Sequence, residues 1–349
     1  MYQSGKYHTV DDWRSVLARV PASSFDVFHR FDYHKLFTRI ERAECEAFVF
    51  ESGDTIIILP YLKRSIDEHL PHFGIKGLFD ITSVYGFSGV AGSNFDESQL
   101  TDFFHAFHNY CREARIVSSF IRLHPTLNSF LASSLPSVTE ANRIVIVPVD
   151  DGLENITKRF KHGVRKGIRK ATAKGVSIRR MDKVPIDLFQ SIYSETMERN
   201  GATSFYRFSN QFFEELNMVD EIQTTYFAYL GALPVSVEIV LRSQDYWHSF
   251  LGGTLSGFRE SCANTLLKYK IIEDAGNAGA KAFILGGGVS PGDGIHKYKQ
   301  SFNPVEDVAF NIQCNVHLDD CYEALIDDYA TRQGDKAIQS RRFQRYLQG

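Results

Sequence analysis

One arrangement of secondary structure occurs twice in this chain, and that repetition limits the folds open to it. In CEAFVFESGDTIIILPYLKR two runs, Ala47 to Phe50 and Thr55 to Leu59, are rich in aromatic and β-branched residues. Ser-Gly-Asp between them supplies a turn, so the stretch predicts a β-hairpin centred on Gly53. About 180 residues later TTYFAYLGALPVSVEIVLRS has the same form, with a turn at Gly231 and alternating apolar and polar side chains from Val235 to Leu241. Helices are expected near 9–19 and 31–42, ahead of the first hairpin. Each hairpin is followed by a helical stretch (97–115, then 261–279) and another strand, in SSFIRLHP and in KAFILGGG. The order helix, hairpin, helix, strand therefore appears twice.

Two similar units suit 349 residues better than one large sheet. The fold class expected is α/β (α+β), each unit a mixed, mostly antiparallel sheet flanked by helices. The junction should lie near VPVDDGLENITKRF, where a strand-like RIVIVPV gives way to acidic turn residues, dividing the chain into residues 1–148 and 149–317. Residues 318–349 read as helical with too few partners to fold alone, and are expected to pack back on the first unit.

The N-terminal MYQSGKYHTVDDW has no apolar stretch behind a basic start, and no run approaches the roughly 18 to 20 apolar residues of a membrane span. A cytoplasmic location is expected. The five cysteines are scattered and include no CxxC pair, which argues against a disulfide framework or a thiolate zinc site. His105 and His108 in FHAFH stand at i,i+3 without HExxH or a carboxylate at ligand spacing, so no metal site is expected.

The net charge of −3 conceals an uneven distribution. Lys158 to Arg180, KRFKHGVRKGIRKATAKGVSIRR, holds ten of the 39 lysines and arginines and no acid, leaving 29 basic against 42 acidic residues elsewhere. Ile156, Phe160, Val164, Ile168 and Ala171 recur every three or four positions, which predicts one helix over this stretch. Lys158, Lys161, Arg165 and Arg169 line one flank of it, and His162, Lys166 and Lys170 the other. Like charges at i,i+4 cost roughly 0.2–0.5 kcal/mol each, so helix stability does not explain the composition. A solvated outer face and a contact surface for phosphates both fit: a nucleotide-linked substrate, a nucleic acid backbone or a phospholipid head group.

In LGGGVSPGDGIHKYKQSFNP, Leu285 to Pro304, three glycines close a strand and Asp293 reads as the N-cap of a short helix with Ile295, Tyr298 and Phe302 on its buried side. Lys299 sits beside that side and Lys297 points elsewhere. The spacing does not match a Walker loop, GxxxxGK[ST], and Pro291 interrupts any dinucleotide fingerprint. A plain strand-to-helix turn and an anion site at a helix N-terminus both remain open on spacing alone.

The same residues resemble a known family. GGG followed by DGIHKYKQSFNP is similar to the closing motif of the Fem family of non-ribosomal peptidyltransferases, within the GNAT superfamily. There a glycine-bearing strand end leads to a hydrophobic-x-x-aromatic-Lys-x-x-Phe segment, here Ile295, Tyr298, Lys299 and Phe302. KHGVRKGIRKATAKGVSIRR resembles the family's basic helix and following strand, YSETMERNGATSFY its Thr-x-x-Arg helix end, and DITSVYGFSG with FIRLHP a first-domain signature of its glycan-associated branch. The likeness runs over about residues 25–310, and implies two tandem GNAT-like domains.

Such enzymes move an aminoacyl group from aminoacyl-tRNA to an amine of a peptidoglycan precursor, and distant relatives move other acyl groups. The resemblance thus implies an acyltransferase with no bound cofactor, whose donor is aminoacyl-tRNA or acyl-CoA. Its acceptor would be a nucleotide- or lipid-linked precursor of a cell-envelope glycan or polysaccharide. Peripheral contact with a membrane is a further expectation, and DNA is not expected as a partner. Lys299 would stabilise charge on the attacked carbonyl. Tyr85, Arg122, Arg199, Tyr206, Gly287, Gly288 and Lys297 would border the substrate, and Lys158, Lys161, Arg165 and Arg169 would meet phosphates or tRNA. The long helical-hairpin arm of some members has no counterpart here. LGGTLSGFRES does not match the Q/R-x-x-G-x-G/A run of acetyl-CoA enzymes, which ranks acetyl-CoA behind other donors. Direct attack by an amine needs no enzyme nucleophile, in keeping with the lack of GxSxG. A non-catalytic module holding tRNA or an anionic glycan precursor, and an acyl-CoA-dependent N-acyltransferase, are the alternatives.

Overall fold

The computed structural model describes residues 3–201, 206–303, 307–334 and 343–347. It forms two compact units, residues 1–141 with 310–349, and residues 142–309.

The first unit opens with β1 (Gln3–Tyr7), α1 (Val10–Leu17) and α2 (Phe31–Phe37). The predicted hairpin follows as β2 (Ala43–Ser52) and β3 (Thr55–Ser65), antiparallel from Ala43↔Arg64 to Ser52↔Thr55, with Gly53 at φ +60° in the turn. Next come α3 (Ile66–His69), β4 (Phe79–Thr82), β5 (Ala91–Ser93), α4 (Glu97–Glu113), β6 (Ile116–Arg122) and α5 (Leu131–Ser134). Asp96 starts α4 in a reciprocal cap with Gln99, each accepting the other's backbone N–H. The helix then presents Leu100, Phe103, Phe107 and Cys111, at helical spacing, to Phe48, Phe50, Ile57, Leu59 and Tyr61 of the hairpin. Each large apolar side chain so buried contributes roughly 1.5–3 kcal/mol, which makes this face the main support of the unit.

The second unit runs from β7 (Val138–Pro148), whose residues from 142 on belong to it, through α6 (Leu153–Arg159), α7 (His162–Ala173), β8 (Val176–Met181), α8 (Ile186–Arg199) and α9 (Asn210–Met218). The second hairpin is β9 (Gln223–Leu230) and β10 (Leu233–Arg242), followed by β11 (Tyr246–Thr254), α10 (Ala263–Asn277), β12 (Ala282–Gly286) and α11 (Gly294–Gln300). Its strand order is β7-β12-β11-β10-β9-β8, and every pairing is antiparallel except β11 with β12. Its core joins Val145, Val147, Tyr226, Val240 and Phe283 of the sheet to Leu267, Ile271 and Ile272 of α10 and Phe160 and Phe302.

The chain then returns to the first unit. β13 (Val308–Val316) pairs antiparallel with β6, from Ile312↔Arg122 to Val316↔Ser118. α12 (Asp319–Gln333) sets Leu325 and Tyr329 against Ile66, Leu70 and Val117, with Tyr346 in the same cluster. The first sheet reads β1-β2-β3-β4-β6-β13, antiparallel except for β4 with β6.

Three expectations need adjustment. The division falls inside β7, at 141/142 rather than 148/149, and residues 310–317 go to the first unit because β13 completes its sheet beside β6. The basic segment is two helices, broken where Phe160 and Lys161 take extended backbone angles. There the Lys161 N–H donates to the Ser301 carbonyl at 2.9 Å, and Arg165 donates to the Lys158 carbonyl at 3.0 Å and to that of Phe160, capping α6. The C-terminal helix ends at Gln333, with Gly334 at φ +55°, and its expected continuation through 335–342 and 348–349 lies outside the described residues, as do Ala202 to Phe205 and Pro304 of the quoted motifs. No described helix is long and apolar enough to cross a membrane.

Candidate functional site

The parallel strands β11 and β12 share three residue pairs, Tyr246↔Ala282, Trp247↔Phe283 and His248↔Ile284. Beyond them β11 continues to Thr254 along β10, while β12 continues along β7 to Gly286. The glycines explain how β12 ends. Gly286 lies at φ +74° after a register shift; a Cβ on Gly287 would meet the Arg143 carbonyl oxygen at 2.5 Å, and one on Gly288 the Asp293 carboxylate at 2.1 Å. The run is thus dictated by the chain's own close approaches, and Gly287 and Gly288 shape the corner.

Asp293 secures that corner and starts α11. Its carboxylate accepts the backbone N–H groups of Val289 (2.7 Å), Ser290 (3.1 Å) and His296 (2.7 Å), which hold it below the usual carboxylate range. His296 is buried, accepts the Gly292 N–H at Nδ1 (2.9 Å) and turns Nε2 to Asp307 (3.0 Å). Asp307 also receives Arg143 at 2.6 and 2.9 Å, which holds its carboxyl below the usual carboxylate range. Contrary to the sequence reading, Ile295 is exposed while His296 is buried. Tyr298 is fixed by Asn264 (3.1 Å) and packs edge-on against Phe302.

Lys299 reaches back from α11 and donates to the Gly287 carbonyl at 2.7 Å. Lys299 is half-buried as a residue. Desolvation foremost, then the charge of Lys268, brings its pKa down to about 7 against weaker opposing pulls from Glu238 and Asp293. An amine poised near neutrality can carry a proton and can also release one.

Two residues that the sequence did not single out, Glu238 and Lys268, act on its charge. Glu238 of β10 and Lys268 of α10 form a buried ion pair, and Lys268 also donates to Ser249 of β11 at 2.9 Å, one residue past the last β11–β12 pair. A signal existed in the order LLKYKII, where Lys268 falls on the face that also buries Leu267, Ile271 and Ile272.

The other sequence candidates are distributed more widely. Arg199 ends α8, bonded to Glu195 (3.3 Å) and Thr196 (3.4 Å), and Thr196 ties that helix to Thr254 at the end of β11. Tyr206 is exposed, its carbonyl accepting the Tyr193 hydroxyl at 2.8 Å. Lys297 is exposed. Lys161, just ahead of α7, and Arg169, on it, are exposed; Lys158 pairs with Glu154 at 2.8 Å, and Arg165 serves as the cap of α6. An open groove of about 570 Å³ lies there, lined by Leu153, Glu154, Thr157, Lys158, Arg165 and Tyr269. Tyr85 and Arg122 belong to the first unit. The Tyr85 carbonyl accepts the Tyr33 hydroxyl at 2.7 Å, and the Arg122 guanidinium donates to the Ser83 carbonyl at 3.1 Å while lying over Phe120.

Comparison with known proteins agrees with this architecture. Residues 158–300 match the Acetyltransferase (GNAT) domain family. The structure of FemX is similar with a TM-score of 0.67 at 11% identity, over 91% of this chain and 99% of that one. The C-terminal domain of a putative lysylphosphatidylglycerol synthetase from Agrobacterium fabrum is similar with a TM-score of 0.54 at 13% identity, over 92% and 95% of the two chains. L-PGS from Bacillus licheniformis is similar with a TM-score of 0.52 at 10% identity, over 88% and 93%. No curated protein sequence is significantly similar to the chain.

Proposed function

We propose that this chain, whose residues 158–300 match the Acetyltransferase (GNAT) domain family and whose fold is similar to that of FemX, is an acyltransferase that moves an aminoacyl group from aminoacyl-tRNA to an amine of a cell-envelope or polysaccharide precursor. The observation that carries the reading is the Lys299 nitrogen, desolvated and held by Gly287 where β11 and β12 part. The attacked carbonyl would lie in that opening. In its ammonium form Lys299 would stabilise the oxyanion as the acceptor amine adds, and the departing ribose oxygen would then take up the proton that the amine sheds.

Two features favour an aminoacyl ester over acyl-CoA. The start of α10, where a pyrophosphate would need free N–H groups, is turned inward: Ala263 N–H goes to the Ser261 hydroxyl (3.2 Å) and Thr265 N–H to the Cys262 carbonyl (3.0 Å). Helix α7 also crowds it, since a Cβ on Gly167 would stand 3.3 Å from Thr265. The acid-free basic stretch supplies cations suited to an RNA backbone. Lysylphosphatidylglycerol, named for one of the similar structures, is itself an aminoacylated lipid. Incubation with charged tRNA or an acyl-CoA panel, plus an envelope extract, should give a product heavier by one amino-acid residue in mass spectrometry. An acyl increment from CoA alone would replace the donor assignment, and binding of tRNA without any product would leave a non-catalytic carrier.

A further inference from the structure

A desolvated lysine beside a buried carboxylate should collapse onto it as an ion pair, and then it is lost to any substrate. Glu238 is such a carboxylate, 1% exposed and among the charges that act on Lys299, with Lys268 and Asp293. Lys268, 6% exposed, stands on both Glu238 oxygens and on Ser249, while Lys299 goes to the Gly287 carbonyl and Asp293 is occupied by three backbone N–H groups. Stability alone does not account for the Glu238–Lys268 pair, because apolar residues of similar volume commonly hold a fold as well as a buried ion pair does.

We propose that Lys268 is a positioning residue: by occupying Glu238 it keeps Lys299 from pairing with that carboxylate and leaves the Lys299 nitrogen at Gly287, beside the parting strands. Glu238 in turn neutralises Lys268, so two lysines can lie close together in a dry site. The inference rests on the proposed transfer reaction only for its activity arm; the titration arm stands without it.

The test uses the full chain with lysine labelled at Cε, the Lys299 titration being followed by NMR in the wild type, Lys268→Arg, Lys268→Met and Lys268→Met/Glu238→Gln. In Lys268→Met the Lys299 midpoint should rise by at least about one pH unit, a tenfold change in its acid constant, as it captures Glu238. Transfer should fall about tenfold or more. Lys268→Arg should stay near the wild type, and removing the carboxylate in the double variant should return both midpoint and rate most of the way. A merely structural role would leave the double variant no better than the single one. A folded Lys268→Met whose midpoint stays within about 0.3 unit of the wild type overturns the proposal. If Lys268→Met does not fold, the double variant decides: a midpoint within about half a unit of the wild type supports the idea, and displacement beyond about one unit sinks it. Midpoints that move as stated in a protein that transfers nothing would refute the reaction and leave this inference standing.

Discussion

Among the described residues each unit contains one parallel strand pair, with a hairpin on one side and a long helix in the connection between its two strands, yet the two pairs end differently. In the second unit, β11 and β12 pair over three residues and part, and Lys299 comes to the end of β12. In the first, the chain beyond β4 stays sewn to β6. The Ser83 hydroxyl donates to the Phe120 carbonyl (3.2 Å) and accepts the Arg122 N–H (2.7 Å), the Arg122 guanidinium takes the Ser83 carbonyl, and Ser88 bridges to Leu123. The same pair also holds Gln344 and Tyr346. The Gln344 amide donates to the Ile81 carbonyl (2.9 Å) and Tyr346 lies fully buried between Asp80 (2.9 Å) and Ser118 (2.8 Å). One topology therefore gives an opening where a glycine corner ends the strand, and a closed seam where polar side chains reach across it.

The sharpest way to break this contrast is to exchange effects between Lys299 and Arg122. Lys299→Ala should lower turnover by roughly 10²–10³-fold, the loss typical of one oxyanion donor, with folding little changed. Arg122→Met should do the reverse, leaving turnover within about twofold while costing about 1–2 kcal/mol in denaturant unfolding as the Ser83 carbonyl loses its charged donor. A turnover collapse in Arg122→Met with normal stability would return Arg122 to the substrate-binding role its motif implies.

Much of this contrast was legible in the sequence, and the part that was not has a physical reason. Both hairpins, α4 and α10 and the Asp293 cap follow from period, turn residues and capping chemistry, all of them local. The break at Phe160 was hidden because Phe160 and Val164 keep helical spacing across it, while the cause, the Ser301 carbonyl taking the Lys161 N–H, lies 140 positions along the chain. Lys158 and Arg165 looked like free cations for the same reason: the cap that absorbs Arg165 exists only once that break forms. Glu238 and Lys268 are 30 residues apart, on a strand and a helix, so no local pattern announces their pairing. Lys299 was singled out through its motif; its desolvation arises only once the chain has packed around it.

The second way to sharpen the comparison is stability against pH. An unfolded lysine keeps its ordinary pKa of 10.5, whereas that of folded Lys299 is brought down to about 7, so between these values the unfolded chain binds more protons at this position. Its contribution to stability therefore rises with pH across that window and is most unfavourable below about 7. Lys299→Met should accordingly be more stable than the wild type near pH 6, with the gain fading toward pH 10 in paired urea titrations. A constant difference across the range would mean the nitrogen is solvated in the folded state. Turnover carried by the ammonium form should run the opposite way, falling as pH rises through about 7.

The smallest effect expected lies on the basic stretch from Lys158 to Arg180, which the first unit does not match anywhere in its sequence. Its cations differ in what they already do. Lys158 faces Glu154 and Arg165 caps α6, whereas Lys161 and Arg169 are exposed, with Lys166 and Lys170 exposed on the same helix. If the surface meets an RNA backbone, Arg169→Ala and Lys166→Ala should each weaken tRNA binding a few-fold and reduce the slope of log affinity against log salt by up to about one. Lys158→Ala should change it less, because its ammonium already has a carboxylate partner, and Arg165→Ala should act through a loosened α6–α7 junction visible as lost thermal stability. Equal, salt-independent responses from all four would make the stretch a solvated face and shift the search for the donor's contacts elsewhere on the protein.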